Sequence, residues 1–221
     1  GIGPEIGVKS LACERVVSIC RPLLIGNVSV IEEAVALSGV DLKIRTVPIE
    51  TEARFEPGMI DVLQPEDCQI NEQTYGKVSA EAGHAAFATI EKVIELARGG
   101  RIHATVTGPI HKGAINAAGH PFPGHTEIFA RYTGTEDYAM LLIYGDLRVI
   151  HVTTHIPLSQ VGERITKAAV LKVIKLAHET CGKLGIRNPR IGVAGLNPHA
   201  GDDGLFGSEE ASAETILKST Y

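Results

Sequence analysis

Two histidines stand where a metal-assisted reaction would need them. His199 lies in Gly195-Leu-Asn-Pro-His-Ala-Gly201, and His155 lies in Val149-Ile-His-Val-Thr-Thr-His-Ile-Pro157. Each follows a short apolar or β-branched run and precedes residues that stop a strand. Neutral imidazole binds zinc and other first-row ions. A His just beyond the carboxyl end of a strand stands where open α/β sheets collect ligands. Two ligands are too few for a closed structural site, so a catalytic site needs a third from elsewhere. Asp202 and Asp203 offer a carboxylate, although such a loop also forms through local hydrogen bonds to its own backbone. His151 shares a strand face with His155 by period-two alternation and is read as packed beneath it. His84, His103, His120 and His178 have no comparable setting and are read as surface or packing residues.

Three further segments place polar chemistry at helix starts. Gly1-Ile-Gly-Pro-Glu5 puts a flexible turn before a helix, where free N–H groups and the helix dipole hold a phosphate or carboxylate. An ordinary glycine turn has the same sequence. Thr107-Gly-Pro-Ile-His-Lys112 offers Lys112 as an anion ligand or proton carrier, against the simpler reading of a solvated first-turn lysine. Pro123-Gly-His-Thr-Glu127 offers the His125 imidazole and the Thr126 hydroxyl for hydrogen-bonding an oxyanion, with Thr126 also suited to be an N-cap.

The elements that must hold these groups alternate along the chain. Helices are expected from Pro4 to Ala12 and over Val28–Leu37, Val78–Arg98, Glu127–Tyr132 and Ala168–Leu184. In the long helix the core face is assigned to Ala82, Ala85, Ala86, Ile90, Val93, Ile94 and Ala97. Strands are expected at Pro22–Gly26, Leu42–Val47, Gly58–Leu63, Ala104–Thr107, Tyr138–Tyr144, Arg148–Thr153 and Arg190–Gly195. The Gly145-Asp146 turn predicts a hairpin between two of them. The pattern restarts after Pro123-Gly124, giving two α/β lobes, residues 1–120 and 121–221, the second carrying the metal histidines.

Composition narrows the function. A chain of 221 residues with 44% hydrophobic residues, 24 Gly and no Trp suits a globular α/β protein. A net charge of −5, with no basic stripe, argues against nucleic acid as the partner. No apolar run reaches membrane-span length and no signal peptide is recognisable, so no membrane partner is expected. Cys13, Cys20, Cys68 and Cys181 form no Cys-x-x-Cys pair, which is read as reduced structural thiols in a cytoplasmic protein. The start at Gly-Ile-Gly rather than Met, and the end at Tyr221 in or just after an apparent helix, are read as truncations.

Taken together, GIGPE at 1–5, TGPIHK at 107–112, GHTE at 124–127, TTHIPL at 153–158 and GLNPHAG at 195–201 closely resemble the 4-hydroxythreonine-4-phosphate dehydrogenase family, the PdxA proteins of vitamin B6 biosynthesis. GIGPE is also similar to the opening loop of isocitrate and isopropylmalate dehydrogenases. The resemblance implies an α/β, two-lobed isocitrate/isopropylmalate dehydrogenase-like fold with a mixed sheet, incomplete at the C-terminus. It implies His155 and His199 as metal ligands, with Zn, Mg or Co as the divalent ion, and His125 and Thr126 as substrate contacts. It further implies oxidation of a secondary alcohol by NAD or NADP, followed by loss of carbon dioxide from the β-keto acid, in a homodimer whose sites are completed across the interface. Lys112 is the candidate for an additional polar or proton-relay role.

The chain departs from that family in two respects, the first being that the strand expected before GIGPE is absent. The third metal histidine, in a Tyr-His-Asp-Gln segment, and the Lys, Asn and Arg residues that grip phosphate beyond it are absent, and the cofactor-binding residues remain unassigned. If this were the whole molecule, weak or no dehydrogenase activity is expected. Asp137-Tyr-Ala-Met140, Leu147–His155 and Gly204-Leu-Phe-Gly207 look closer to relatives acting on 4-phospho-D-threonate or 4-phospho-D-erythronate. Two other classes compete: a metal-dependent hydrolase using Asp202 or Asp203 as base, and an inactive remnant that keeps the fold.

Overall fold

The computed structural model describes residues 1–71, 75–199, 202 and 205. Asp203, Gly204 and the expected C-terminal helix therefore lie outside the described residues. The first sheet is built from β1 (Leu24–Ile25), β2 (Lys43–Thr46) and β3 (Met59–Leu63), all parallel, with β3 in the middle. Ile60 and Val62 turn one face of β3 toward Val8 of helix α1 (Gly3–Leu11) and toward Ile31 and Ala34. Those two residues belong to α3 (Val28–Ser38), which follows the short α2 (Glu14–Val17). Asn27 caps α3 by accepting from the Val30 N–H at 3.1 Å, while its amide donates to the Cys68 carbonyl at 2.9 Å. One buried side chain thus starts a helix and ties down the loop after β3.

Alternation puts Asp61 on the other face of β3, where it is 1% exposed. Arg45 Nε donates to Asp61 at 2.5 Å, and the backbone N–H groups of Arg54 and Phe55 donate at 2.9 and 2.7 Å. Burial disfavours the carboxylate, but these three donors outweigh it and hold the Asp61 pKa below its ordinary value.

Helix α4 (Ala80–Arg98) organises the remainder of this unit. Ser79 accepts from the Ala82 N–H at 3.2 Å, so the helix starts two residues later than expected from Val78. Phe87, Ile90 and Ile94 form one stripe, packed with Ile115 of α5 (Lys112–Ala117) and Ile128 of α6 (His125–Thr133). Ala82 and Ala97 face solvent, whereas Phe87 and Leu96 are buried. The larger apolar side chains set the buried stripe, because they remove more area from water than alanine does. A Cβ at Gly83 would overlap the Ala114 carbonyl, so α4 and α5 meet backbone to backbone.

The second unit contains β4 (Leu141–Tyr144) and β5 (Leu147–Ile150), an antiparallel pair joined at Gly145-Asp146 with Leu141 opposite Ile150. Gly145 takes φ +55°, the left-handed conformation that this turn needs. Helices α7 (Val161–Arg164) and α8 (Lys167–Lys183) follow, the latter capped by Thr166 through the Ala169 N–H at 3.2 Å. Parallel and antiparallel pairing thus both occur, in separate sheets of an α/β chain. Among the described residues no helix is long and apolar enough to cross a membrane. The cysteines are free; Cys68 is buried, Cys181 is half-buried, and Cys13 and Cys20 are exposed rather than packed.

Three expectations need correction. Residues 104–107 and 190–195 form no strand, and the strand expected over Arg148–Thr153 stops at Ile150. Apolar alternation supplies a strand's side chains but not the neighbouring strand its backbone must bond to. Val106, at 100% exposure, has no such cover here. His155 and His199 therefore sit in bends and turns, and His151 and His155 do not share a strand face. The compact units run Gly1–Gly134 and Thr135–Tyr221, and α6, packed on α4, lies in the first of them.

Candidate active site

Three segments far apart in sequence meet in the first unit. Helix α1 opens with Pro4 in its first turn and has no side-chain cap. Gly3, at its start, lies against the loop of TGPIHK: a Cβ at Gly108 would be 3.0 Å from Gly3 Cα, and one at Gly3 would be 3.7 Å from the Pro109 carbonyl oxygen. The same loop runs into α5, whose first residue is Lys112. His111 caps that helix, its Nδ1 accepting from the Ala114 N–H at 3.1 Å. An imidazole cap leaves no signal in the Ser, Thr, Asp and Asn preferences by which caps are read, so this one is not legible in the sequence.

Lys112 then reaches the third segment. A Cβ at Gly124 would stand 4.0 Å from Lys112 Cε and 3.4 Å from Glu127 Oε2. Gly124 is the N-cap of α6, so His125 and Thr126 occupy the first two helical positions and Thr126 is not the cap. Both are half-buried, while Lys112 is exposed. Burial lowers the His125 pKa below its ordinary value and favours the neutral imidazole. A neutral imidazole can donate to an oxyanion through one nitrogen and accept a proton at the other. Glu127 was not singled out from the sequence. Its Oε2 is buried without a hydrogen-bond partner.

The two metal candidates fall in the second unit. His155 is exposed and takes φ +58°, a left-handed conformation uncommon for residues with a Cβ, though less so for His than for most. His199 is exposed in a turn whose backbone is fixed by its N–H to Asn197 Oδ1 at 2.9 Å and by the Asp202 N–H to the His199 carbonyl at 3.0 Å. His151, half-buried, has Nδ1 3.4 Å from the Met140 carbonyl. Two imidazoles are the right donors for a first-row ion. Among the described residues, however, no group of three or more His, Cys, Asp or Glu is arranged to hold a metal. Asp203 lies outside those residues, and Asp202 takes φ +42° within the loop.

His84 and His120 are less ordinary than the sequence suggests. Nδ1 of His84 and Nε2 of His120 lie 3.0 Å apart, and the His120 ring stacks on Phe87 with centroids at 3.7 Å. Burial, then the neighbouring His84, lowers the His120 pKa. An open cleft of about 760 Å³ beside the end of β3 is lined by Leu63, Glu91, Lys92, Arg98 and Tyr132 among others, and includes none of the predicted site residues. Its cations are occupied locally, Lys92 by Glu95 at 2.8 Å and Arg98 by the Tyr132 carbonyl at 3.1 Å.

The chain is similar to known proteins along nearly its whole length. The D-threonate 4-phosphate dehydrogenase of Cupriavidus necator is 47% identical over 220 residues, which cover 98% of this chain and 65% of that protein. The chain thus spans about 65% of the length of that curated relative. The crystal structure of a 4-hydroxythreonine-4-phosphate dehydrogenase from Burkholderia phymatum superposes with a TM-score of 0.83 at 43% identity, covering 99% of this chain and 67% of the other. A protein of the same name from Klebsiella pneumoniae gives 0.84 at 38% identity, with 97% and 68% covered. Residues 18–218 match the family described as pyridoxal phosphate biosynthetic protein PdxA, and the chain belongs to that family.

Proposed function

We propose that this chain carries part of the active site of an NAD(P)-dependent, divalent-metal-dependent dehydrogenase that oxidises a small phosphorylated hydroxy acid with loss of carbon dioxide. The observation that carries this reading is the convergence of Gly3, Gly108, Lys112 and Gly124 beside His125 and Thr126. The substrate we favour is 4-phospho-D-threonate, as the name of the Cupriavidus necator relative supports, with 4-phosphooxy-threonine, as in pyridoxine biosynthesis, the second candidate. His125 and Thr126 hold substrate oxygens by hydrogen bonds. Lys112, exposed at the start of α5, exchanges a proton with the reacting hydroxyl or its product. His155 and His199 contribute two ligands to a divalent ion, Zn, Mg or Co. Such an ion, when bound, supplies positive charge that lowers a hydroxyl pKa and stabilises developing oxyanions.

The partner is the small substrate and a second copy of the chain, in a cytoplasmic protein. Leu142, Ile143, Tyr144 and Leu147 are each more than half exposed on the β4–β5 hairpin, an apolar surface that supports a homodimer. In the proposed two-lobe division, Lys112 belongs to residues 1–120, and His125, Thr126 and the metal histidines His155 and His199 belong to residues 121–221.

NAD reduction in the presence of 4-phospho-D-threonate and added Zn, Mg or Co tests the reading. Turnover lost in both His125→Ala and His199→Ala supports it. Phosphate release without NAD reduction would instead favour hydrolysis, and equal turnover of His199→Ala and parent would remove His199 from the metal site.

A further inference from the structure

We infer that Glu127 is a positioning residue that holds the Lys112 ammonium over Gly124. This rests on the role proposed for Lys112 above. Three observations meet at one point. Glu127 Oε2 is buried and makes no hydrogen bond, a costly condition for a carboxylate oxygen. The space that a Cβ at Gly124 would fill is bounded by Glu127 Oε2 at 3.4 Å and by Lys112 Cε at 4.0 Å. Lys112 is exposed at the first position of α5, and its ammonium lies one bond beyond Cε, so rotation about the Cδ–Cε bond moves it relative to the carboxylate. Gly124 itself is fully extended, at φ 177°, a conformation open to any residue. Glycine at 124 therefore serves space rather than backbone freedom: a side chain there would stand between the two groups.

A purely local role for Glu127 has a different signature. Glu127 is the third residue of α6, where a Glu or Gln side chain turns back to the N-cap backbone in a capping box. Gln serves that role as well as Glu, whereas only the carboxylate forms an ion pair with an ammonium. The variant Glu127→Gln separates the two.

The experiment labels the full chain with acetic anhydride at fixed pH and reads each lysine's rate by mass spectrometry. Parent, Glu127→Gln, Glu127→Asp and Gly124→Ala are compared, with folding checked by circular dichroism. A paired ammonium is withheld from the reagent. Lys112 should therefore react roughly two- to fivefold faster in Glu127→Gln, the range of a partly exposed ion pair. Glu127→Asp should restore part of the protection, Gly124→Ala should lose it, and Lys9 and Lys175 should not change. Equal Lys112 rates in parent and a folded Glu127→Gln overturn the inference. Lys112→Met in the NAD-reduction assay tests the underlying reading separately. If it keeps full turnover while labelling responds to Glu127, the contact stands and the proton-relay role falls.

Discussion

Gly108 and Gly3 touch through bare backbone: a Cβ added at 108 would lie 3.0 Å from Gly3 Cα. A side chain at 108 would thus meet the start of α1 more tightly than most Cβ contacts, whereas one at Gly3 would meet the loop at ordinary van der Waals distance, 3.7 Å. Both neighbours are main chain, so neither yields by a rotamer change. Gly108→Ala should cost about 1–3 kcal/mol, the usual range for added volume in a tight contact. It should also weaken binding of a phosphorylated substrate, because the loop leading to Lys112 must move. Urea unfolding and calorimetric titration check the two effects, and a variant matching the parent in both would mean that the loops separate without cost.

Gly83 makes a stronger demand of the same kind. A Cβ there would overlap the Ala114 carbonyl, so α4 and α5 would have to part. Gly83→Ala should destabilise by about 3 kcal/mol or prevent folding. Gly182 in α8 has nothing within 4 Å of its Cβ position. Gly182→Ala should be neutral or stabilise by up to roughly 1 kcal/mol, since alanine loses less entropy in a helix. Melting temperatures of the two variants should move in opposite directions or differ plainly in size.

Asp61 gives an acid-side prediction with a defined sign. Its pKa is lower in the folded chain than in the unfolded one, so the folded state is stabilised above the ordinary Asp range, near pH 4. That contribution is lost as pH falls through the folded pKa. Asp61→Asn keeps the shape but leaves Arg45 with Glu56 at 3.0 Å as its remaining ion-pair partner. Breaking one side of so buried a pair should cost about 3–5 kcal/mol. The urea midpoint of the variant should be lower at pH 7 and should fall less than the parent's between pH 5 and pH 3.

His120 supplies the opposite end of the pH range. Its folded pKa lies below its ordinary value, so the unfolded chain binds the proton more readily. Stability should be level above about pH 6.5 and decline below it, as the unfolded state gains protons first. The groups facing it are His84, Phe87 and Glu91, and protonation of both imidazoles would set two cations 3.0 Å apart. His120→Phe preserves stacking on Phe87 and removes the titration. Its stability should change less between pH 8 and pH 5.5 than the parent's, as read by urea midpoints at the two values.

These predictions separate what a sequence displays from what only packing reveals. The Pro4 helix start, the α3 and α4 helices and the Gly145-Asp146 hairpin were legible because each depends on residues close in sequence. The strands expected at 104–107 and 190–195 were not, since a strand is completed by a neighbour that the run itself does not specify. His125, Thr126 and Lys112 were legible as residue types at helix starts, yet their convergence with Gly3 required the fold. Glu127 and the His84–His120 pair escaped notice for a related reason. An acid in a first turn and a histidine on a helix are common, and only burial or a 3.0 Å contact distinguishes them.

His155 combines a candidate role with a backbone cost. At φ +58° a residue with a Cβ is disfavoured by roughly 1–2 kcal/mol relative to glycine. Glycine would relieve that cost, although His is among the non-glycine residues that adopt this conformation most readily. His155→Gly should therefore be more stable than His155→Ala by about 1 kcal/mol in urea unfolding. If His155 and His199 bind metal, excess Zn should raise the parent's melting temperature relative to a chelator-treated sample, by mass action on the folded state. Both His155→Gly and His199→Ala should reduce that rise. A zinc-induced shift that survives in both variants would locate the ion elsewhere, and leave the strained conformation at 155 without a ligand-binding reason.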